Sequence, residues 1–209
     1  MAMTTTLYLS HRGLTSLKDV TFPEGLHILY LSNNQISTLE GVIFPAGLRE
    51  LSLHNNHLTT LGGVIFPEGL QKLDLEKNQL TTLEGVIFLE TLRQLWLYDN
   101  HITTLKGIVF SSRLELLSLT DNPITSFNGV MIADRTEIYC HDELKSLLRQ
   151  ASHTTAALRI QRAVRQWLKR RYLAALTMQQ WFSTLSFQRG GASYRVALAR
   201  CDAALGLAH

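Results

Sequence analysis

With 209 residues, 45% hydrophobic and 18% charged, the chain can build one folded domain plus an extension, and its composition excludes global disorder. It contains no run of 18 apolar residues, which excludes a membrane-spanning helix, and residues 1–9 lack the basic start and apolar stretch of a signal peptide. The net charge of +3 divides unevenly: residues 1–141 carry 9 Lys and Arg against 14 Asp and Glu, and residues 142–209 carry 11 against 3. An acidic front (−5) and a basic tail (+8) suit different partners.

The first element is an imperfect turn that keeps Leu7, Leu9 and Leu14 but has Arg12 where later turns have Asn. From there Leu26, Leu48, Leu70, Leu92 and Leu114 stand 22 residues apart, each opening the frame Leu-x-x-Leu-x-Leu-x-x-Asn-x-Leu/Ile. The second turn shows it with Leu26, Leu29, Leu31, Asn34 and Ile36. Within each frame the last two leucines before Asn alternate, so both point inward from a short strand while the residue between them points outward. Successive strands then stack in parallel about 4.8 Å apart.

Asn34, Asn56, Asn78, Asn100 and Asn122 fall where the chain leaves the strand, and their amides can satisfy backbone groups that the bend leaves unpaired. Phe22, Phe44, Phe66, Phe88 and Phe110 repeat at the same period and predict an aromatic spine in the wider, convex half. Pro23–Gly25, Pro45–Gly47 and Pro67–Gly69 read as type I turns with Pro second and Gly fourth. Gly41, Gly63, Gly85, Gly107 and Gly129 mark a second bend.

Five in-register copies of this frame resemble a leucine-rich-repeat protein of the short 22-residue class, over residues 4 to about 140. The resemblance implies an α/β fold: a right-handed solenoid of about six repeats, with a parallel sheet on its concave face, over residues 1–141. Such an array buries nothing without neighbours, so both ends need caps. After Gly129 the frame decays through Met131, Ile132, Ile138 and Tyr139. His141–Asp142–Glu143 then starts a helix through Leu144, Leu147 and Leu148, read as the C-terminal cap.

Beyond Gln150 the period changes. Ser152 or Thr154 can cap a helix, and no Pro or Gly follows until Gly190, so a long helix is expected within residues 142–188, followed by a tail over 189–209. Ile160, Val164, Trp167 and Leu168 make one apolar stripe, flanked by six positive charges in the thirteen residues 159–171. The string from Ile160 to Arg170 is similar to the IQ motif, with Ile160, Gln161, Arg165 and Arg170 in place and Gln166 where that family favours Gly. The resemblance implies that calmodulin or a related EF-hand light chain binds Ile160, Gln161, Val164, Arg165, Trp167, Leu168 and Arg170. Ile160, Val164, Trp167 and Leu173 also match the 1-5-8-14 anchors of calcium-loaded calmodulin targets, so both calcium modes stay open.

The alternatives for this segment are an anionic membrane surface, which is disfavoured, and an assembly helix that docks on its own solenoid or on a partner. No nucleic acid is expected, since there is neither a recognised fold nor an aromatic–basic alternation.

The register also places the outward strand positions. Tyr30, His54, Asp74, Glu76, Gln94, Trp96 and Tyr98 are the candidate residues for a protein partner on the concave face, with Trp96 and Tyr98 as aromatic anchors rimmed by acids. The alternative is that Trp96 merely covers its neighbours or packs on the C-terminal helix of the same chain. No catalytic constellation, zinc-ligand spacing, phosphate loop or cofactor motif is present, so a non-enzymatic scaffold or adaptor is expected. Two distant cysteines, Cys140 and Cys201, and no Asn-X-Ser/Thr acceptor favour a reducing, cytoplasmic setting. A repeat array joined to an IQ helix resembles cytoskeletal, centrosomal and ciliary scaffold proteins.

Overall fold

A computed structural model describes residues 5–152, apart from residues 19 and 128. Seven short strands form one sheet in strict chain order: β1 (Thr5–Tyr8), β2 (Leu26–Tyr30), β3 (Glu50–Ser52), β4 (Lys72–Asp74), β5 (Gln94–Trp96), β6 (Leu116–Ser118) and β7 (Glu137–Tyr139). Every neighbouring pair is parallel, so each strand and its return path make one solenoid turn. The inward column runs Leu7, Leu29, Leu51, Leu73, Leu95, Leu117 and Ile138 in direct register, and from Leu29 onward it is buried.

The core is one continuous stack because each frame leucine meets its copies above and below. Leu26, Leu48, Leu70, Leu92 and Leu114 are all buried, as are Leu31, Leu53, Leu75, Leu97 and Leu119. On the convex side Phe22, Phe44 and Phe66 stack in sequence with ring centroids 6.0 and 6.3 Å apart, and Phe88 and Phe110 stack at 5.5 Å. These are offset-stacking distances, so the expected spine forms.

The asparagines form the expected ladder. Asn56 is typical: its Oδ1 accepts the Ile36 N–H at 3.1 Å, and its Nδ2 donates to the Leu31 and Leu53 carbonyls, both at 3.0 Å. Asn78 and Asn100 repeat the pattern one turn further along. In the irregular first turn, Asn34 Oδ1 accepts the N–H groups of Arg12 and Leu14, so no asparagine is needed at position 12.

Two local expectations need correction. The Leu48 and Leu70 N–H groups donate to the Pro45 and Pro67 carbonyls at 3.0 Å, so Pro is the first residue of each turn and Gly47 and Gly69 the third. Leu89 and Ser111 start equivalent turns in the next two repeats, which explains why Pro is dispensable there: position i uses only its carbonyl. The frame also does not simply decay after Gly129. Residues 137–139 form a seventh strand, and Ile138 pairs with Leu117 only 21 residues before it. That turn is one residue shorter, and a one-residue slip exchanges the faces of a strand, so Ile138 is buried and Tyr139 exposed.

The second bend is a type II turn. The Val42, Val64, Val86, Ile108 and Val130 N–H groups each donate to the carbonyl three residues earlier, and the glycine at the third position has φ between 72° and 77°. Only glycine takes that conformation without strain.

Helix α1 (Asp142–Ser152) closes the array. Its first turn holds Asp142 and Glu143, which complement the positive end of the helix dipole, and the His141 carbonyl accepts the Lys145 N–H. Leu148 is fully buried and Leu144 packs partly against the core, which fits the expected cap; the Leu147 side chain lies outside the described set. Among the described residues no helix is long and apolar enough to cross a membrane. The basic helix and the tail expected after Ser152 lie outside the described residues.

Candidate functional site

Outward positions alternate with the buried leucines, so the sheet presents three side-chain columns on a rigid backbone. Gln94, Trp96 and Tyr98 occupy successive outward positions along β5 and its exit, and all three are half-buried. Register sets Trp96 between Asp74 on β4 and Ser118 on β6, and Gln94 between Lys72 and Leu116. A large aromatic is thereby flanked on one side by a carboxylate and on the other by a small residue.

The neighbouring rung is polar and tightly organised. Asp74 accepts the Ser52 hydroxyl at 2.9 Å through one oxygen and the Glu76 N–H at 3.1 Å through the other. Ser52 also shares a 2.8 Å hydrogen bond with Ser32, so a hydroxyl chain leads to Asp74 across two rungs. His54 Nδ1 lies 3.7 Å from the Glu76 carboxylate. Partial burial raises the Glu76 pKa above the ordinary carboxylate value, and the nearby Asp74 charge raises it further, against smaller opposing effects of His54 and Lys77. Tyr98 is also harder to ionise than a free phenol, first because it hydrogen-bonds to the Asp121 carboxylate. At the first outward column, Lys72 Nζ pairs with Glu50 at 2.9 Å, and Arg93 pairs with Glu115 on the same edge.

The seven candidate face residues therefore separate into two groups. His54, Asp74, Glu76, Gln94, Trp96 and Tyr98 share the central rungs. Tyr30 is apart from them: it stacks on Tyr8 at 5.2 Å with the planes 18° apart, at the first rungs of the sheet. Two rungs, Ser52 and Asp74, intervene between Tyr30 and Trp96 in that column.

Sequence reading missed one column altogether. His11, Asn33, Asn55, Lys77, Asp99 and Asp121, each next to a ladder position, have φ between 52° and 58°. This left-handed geometry turns them out along the edge of the face, where Asn55 Nδ2 donates to Asn33 Oδ1 at 2.8 Å and Asp121 reaches Tyr98. The signal was present in the doubled Asn-Asn and Asp-Asn pairs, since Asn and Asp tolerate that conformation best.

Comparison with known families agrees with this geometry. A leucine-rich-repeat family model matches residues 46–102, and a second model for a single Leucine Rich Repeat matches residues 25–45. The turns within residues 25–102 match leucine-rich repeats, and the flanking turns share their strand register. No curated protein matches the chain. Leucine-rich repeats generally mediate protein–protein interaction, and solenoids use their extended sheet faces for it. The seven expected calmodulin-contact residues, Ile160, Gln161, Val164, Arg165, Trp167, Leu168 and Arg170, lie outside the described residues.

Proposed function

We propose that this protein is a non-enzymatic interaction scaffold: the sheet face around Trp96 and Tyr98 holds a basic protein partner, and segment 160–170 binds calmodulin or a related EF-hand light chain. The observation that carries the first half is the placement of Trp96 beside Asp74 on a backbone fixed by parallel pairing on both sides. A rigid aromatic anchor loses little conformational entropy on binding, and the acidic rim, with Glu76, Asp99 and Asp121, selects positive charge. Lysine- or arginine-rich segments are therefore the fitting ligand class, and Trp96→Ala is expected to weaken their binding by tenfold or more, about 1.4 kcal/mol.

The second half rests on sequence: the IQ-like spacing of Ile160, Gln161, Arg165 and Arg170 on an apolar stripe with basic flanks. A Met-lined EF-hand groove takes the apolar anchors while its rim carboxylates meet the arginines. The domain division at residues 141 and 188 and a site of action in the cytoplasm, at the cytoskeleton, centrosome or cilium, belong to the same reading.

The test is calorimetric titration of the full chain with calmodulin, once with calcium and once with chelator. Micromolar or tighter binding, about −8 kcal/mol, that disappears in the double charge reversal Arg165→Glu, Arg170→Glu supports the adaptor. Absence of binding in both conditions overturns that half. If the same reversal then lowers stability, segment 142–188 acts instead as an assembly element, a reading that the opposite charges of the two halves favour.

A further inference from the structure

The proposed partner face uses Asp74 and Glu76 only as an acidic rim, but together with His54 they also make a compact set of donor atoms on the central rungs. His54 and Glu76 are equivalent residues of successive turns, and Asp74 precedes Glu76 by two, so parallel stacking brings all three to one spot. Their donor atoms (an imidazole nitrogen and one oxygen from each carboxylate) lie within 4.8 Å of one another. We propose that His54, Asp74 and Glu76 form a binding site for a divalent transition-metal ion of the Zn²⁺ type.

Geometry supports the assignment. His54 Nδ1 and the nearer Glu76 oxygen are 3.7 Å apart, longer than a good hydrogen bond. Two donors on a tetrahedral ion with bonds of about 2.0–2.1 Å sit roughly 3.4 Å apart, so the His54–Glu76 pair is close to that spacing and the other pairs, within 4.8 Å, close by side-chain rotation. The backbone on which they stand is held by the β3–β4 ladder and by the Asn78 amide, which donates to the Glu76 carbonyl at 3.2 Å. Asp74 is fixed by its bonds from Ser52 and from the Glu76 N–H, and a carboxylate with those two acceptor sites used still has lone pairs to offer.

Charge and ligand type narrow the ion. Two carboxylates on adjoining positions carry two negative charges, and among the described residues neither is ion-paired with a lysine or arginine: Lys72 pairs with Glu50 and Arg93 with Glu115. A divalent cation neutralises that pair. The imidazole nitrogen favours zinc and its neighbours over calcium and magnesium, which take oxygen-only sets. Three protein donors leave a further coordination position. Tyr98, the next residue in the His54–Glu76 column, has its phenol beside the Asp121 carboxylate and is not counted among the donors. The group is confined to these rungs, since the same column elsewhere carries Ser10, Ser32 and Thr120.

The proposal does not depend on which partner binds the face. The test is titration of the chelator-stripped full chain with Zn²⁺ alone, by calorimetry and by the His side-chain NMR signals. The chain has eight histidines and two cysteines, so location matters as much as stoichiometry. The expected result is one site whose filling shifts the His54 imidazole signals first, with affinity reduced at least about tenfold by His54→Ala and by Glu76→Gln and unchanged by His101→Ala. Zn²⁺ affinity that survives in folded His54→Ala, or wild-type His54 signals unmoved while Zn²⁺ binds, would overturn it. So would no binding at millimolar Zn²⁺. The NMR readout on the unsubstituted chain decides the matter even if a variant does not fold.

Discussion

Replacing Asn56 by Ala tests the claim that the amide ladder, beyond leucine packing, holds successive turns in place. Asn56 is buried, and its Oδ1 accepts the Ile36 N–H at 3.1 Å. Its Nδ2 donates to the Leu31 and Leu53 carbonyls at 3.0 Å. These losses are unequal. The Leu31 carbonyl keeps the amide of Asn34 and the Leu53 carbonyl keeps that of Asn78, whereas the Ile36 N–H loses its acceptor. An orphaned buried donor costs about 1–3 kcal/mol and each lost second bond to a carbonyl about 0.5–1, so the expected destabilisation is about 3 kcal/mol.

The adjacent Asn55 is an internal control. It is exposed, with φ of 54°, its side chain bonds sideways to Asn33 and its backbone N–H bond to Glu76 survives substitution, so Asn55→Gly is expected to cost a few tenths of a kcal/mol at most. Urea unfolding followed by far-ultraviolet circular dichroism measures both. The double variant Asn56→Ala, Asn78→Ala goes further, because it strips both amides from the Leu53 carbonyl. Its cost is expected to exceed the sum of the single costs by about 1 kcal/mol. A cost under about 1 kcal/mol for Asn56→Ala, equal costs at positions 55 and 56, or strict additivity in the double variant would refute the reasoning.

Two further outcomes follow from local geometry. Gly85 has φ of 77° at the third position of its turn, and an added Cβ would meet nothing within 4 Å, so Gly85→Ala is expected to cost about 1–2 kcal/mol from the backbone alone. The urea midpoint measures it, and a neutral or stabilising result would contradict the type II assignment. The Asp121 carboxylate raises the Tyr98 pKa by favouring the protonated phenol, so Asp121→Asn is expected to let that phenol ionise at lower pH. Difference titration at 295 nm against a Tyr98→Phe background detects it, and an unchanged curve would show that Asp121 is not what perturbs the phenol.

The 22-residue period determined the inward leucines, the asparagine ladder, the phenylalanine spine and the bend glycines, because a solenoid gives equivalent positions the same surroundings in every turn. For the same reason the face columns could be written down from the register, and Trp96, Tyr98, Asp74 and Glu76 do lie on neighbouring rungs. Calmodulin contacts at Arg165 and Arg170 stand on motif spacing only.

Tertiary structure decided what the period could not carry. Residues 137–139 lack the leucine frame, yet they become a strand because β6 offers unpaired backbone groups that override local pattern. The shorter last turn that buries Ile138 is invisible to a search at fixed spacing. The Pro turns sit one position away from the expected register because the Leu N–H selects its carbonyl through the path of the whole coil. Most of all, the meeting of His54 with Asp74 and Glu76, the Ser52 hydroxyl on Asp74, and Tyr98 on Asp121 depends on side-chain reach across rungs. A one-dimensional pattern fixes which residues share a column; only the folded backbone fixes which of their atoms touch.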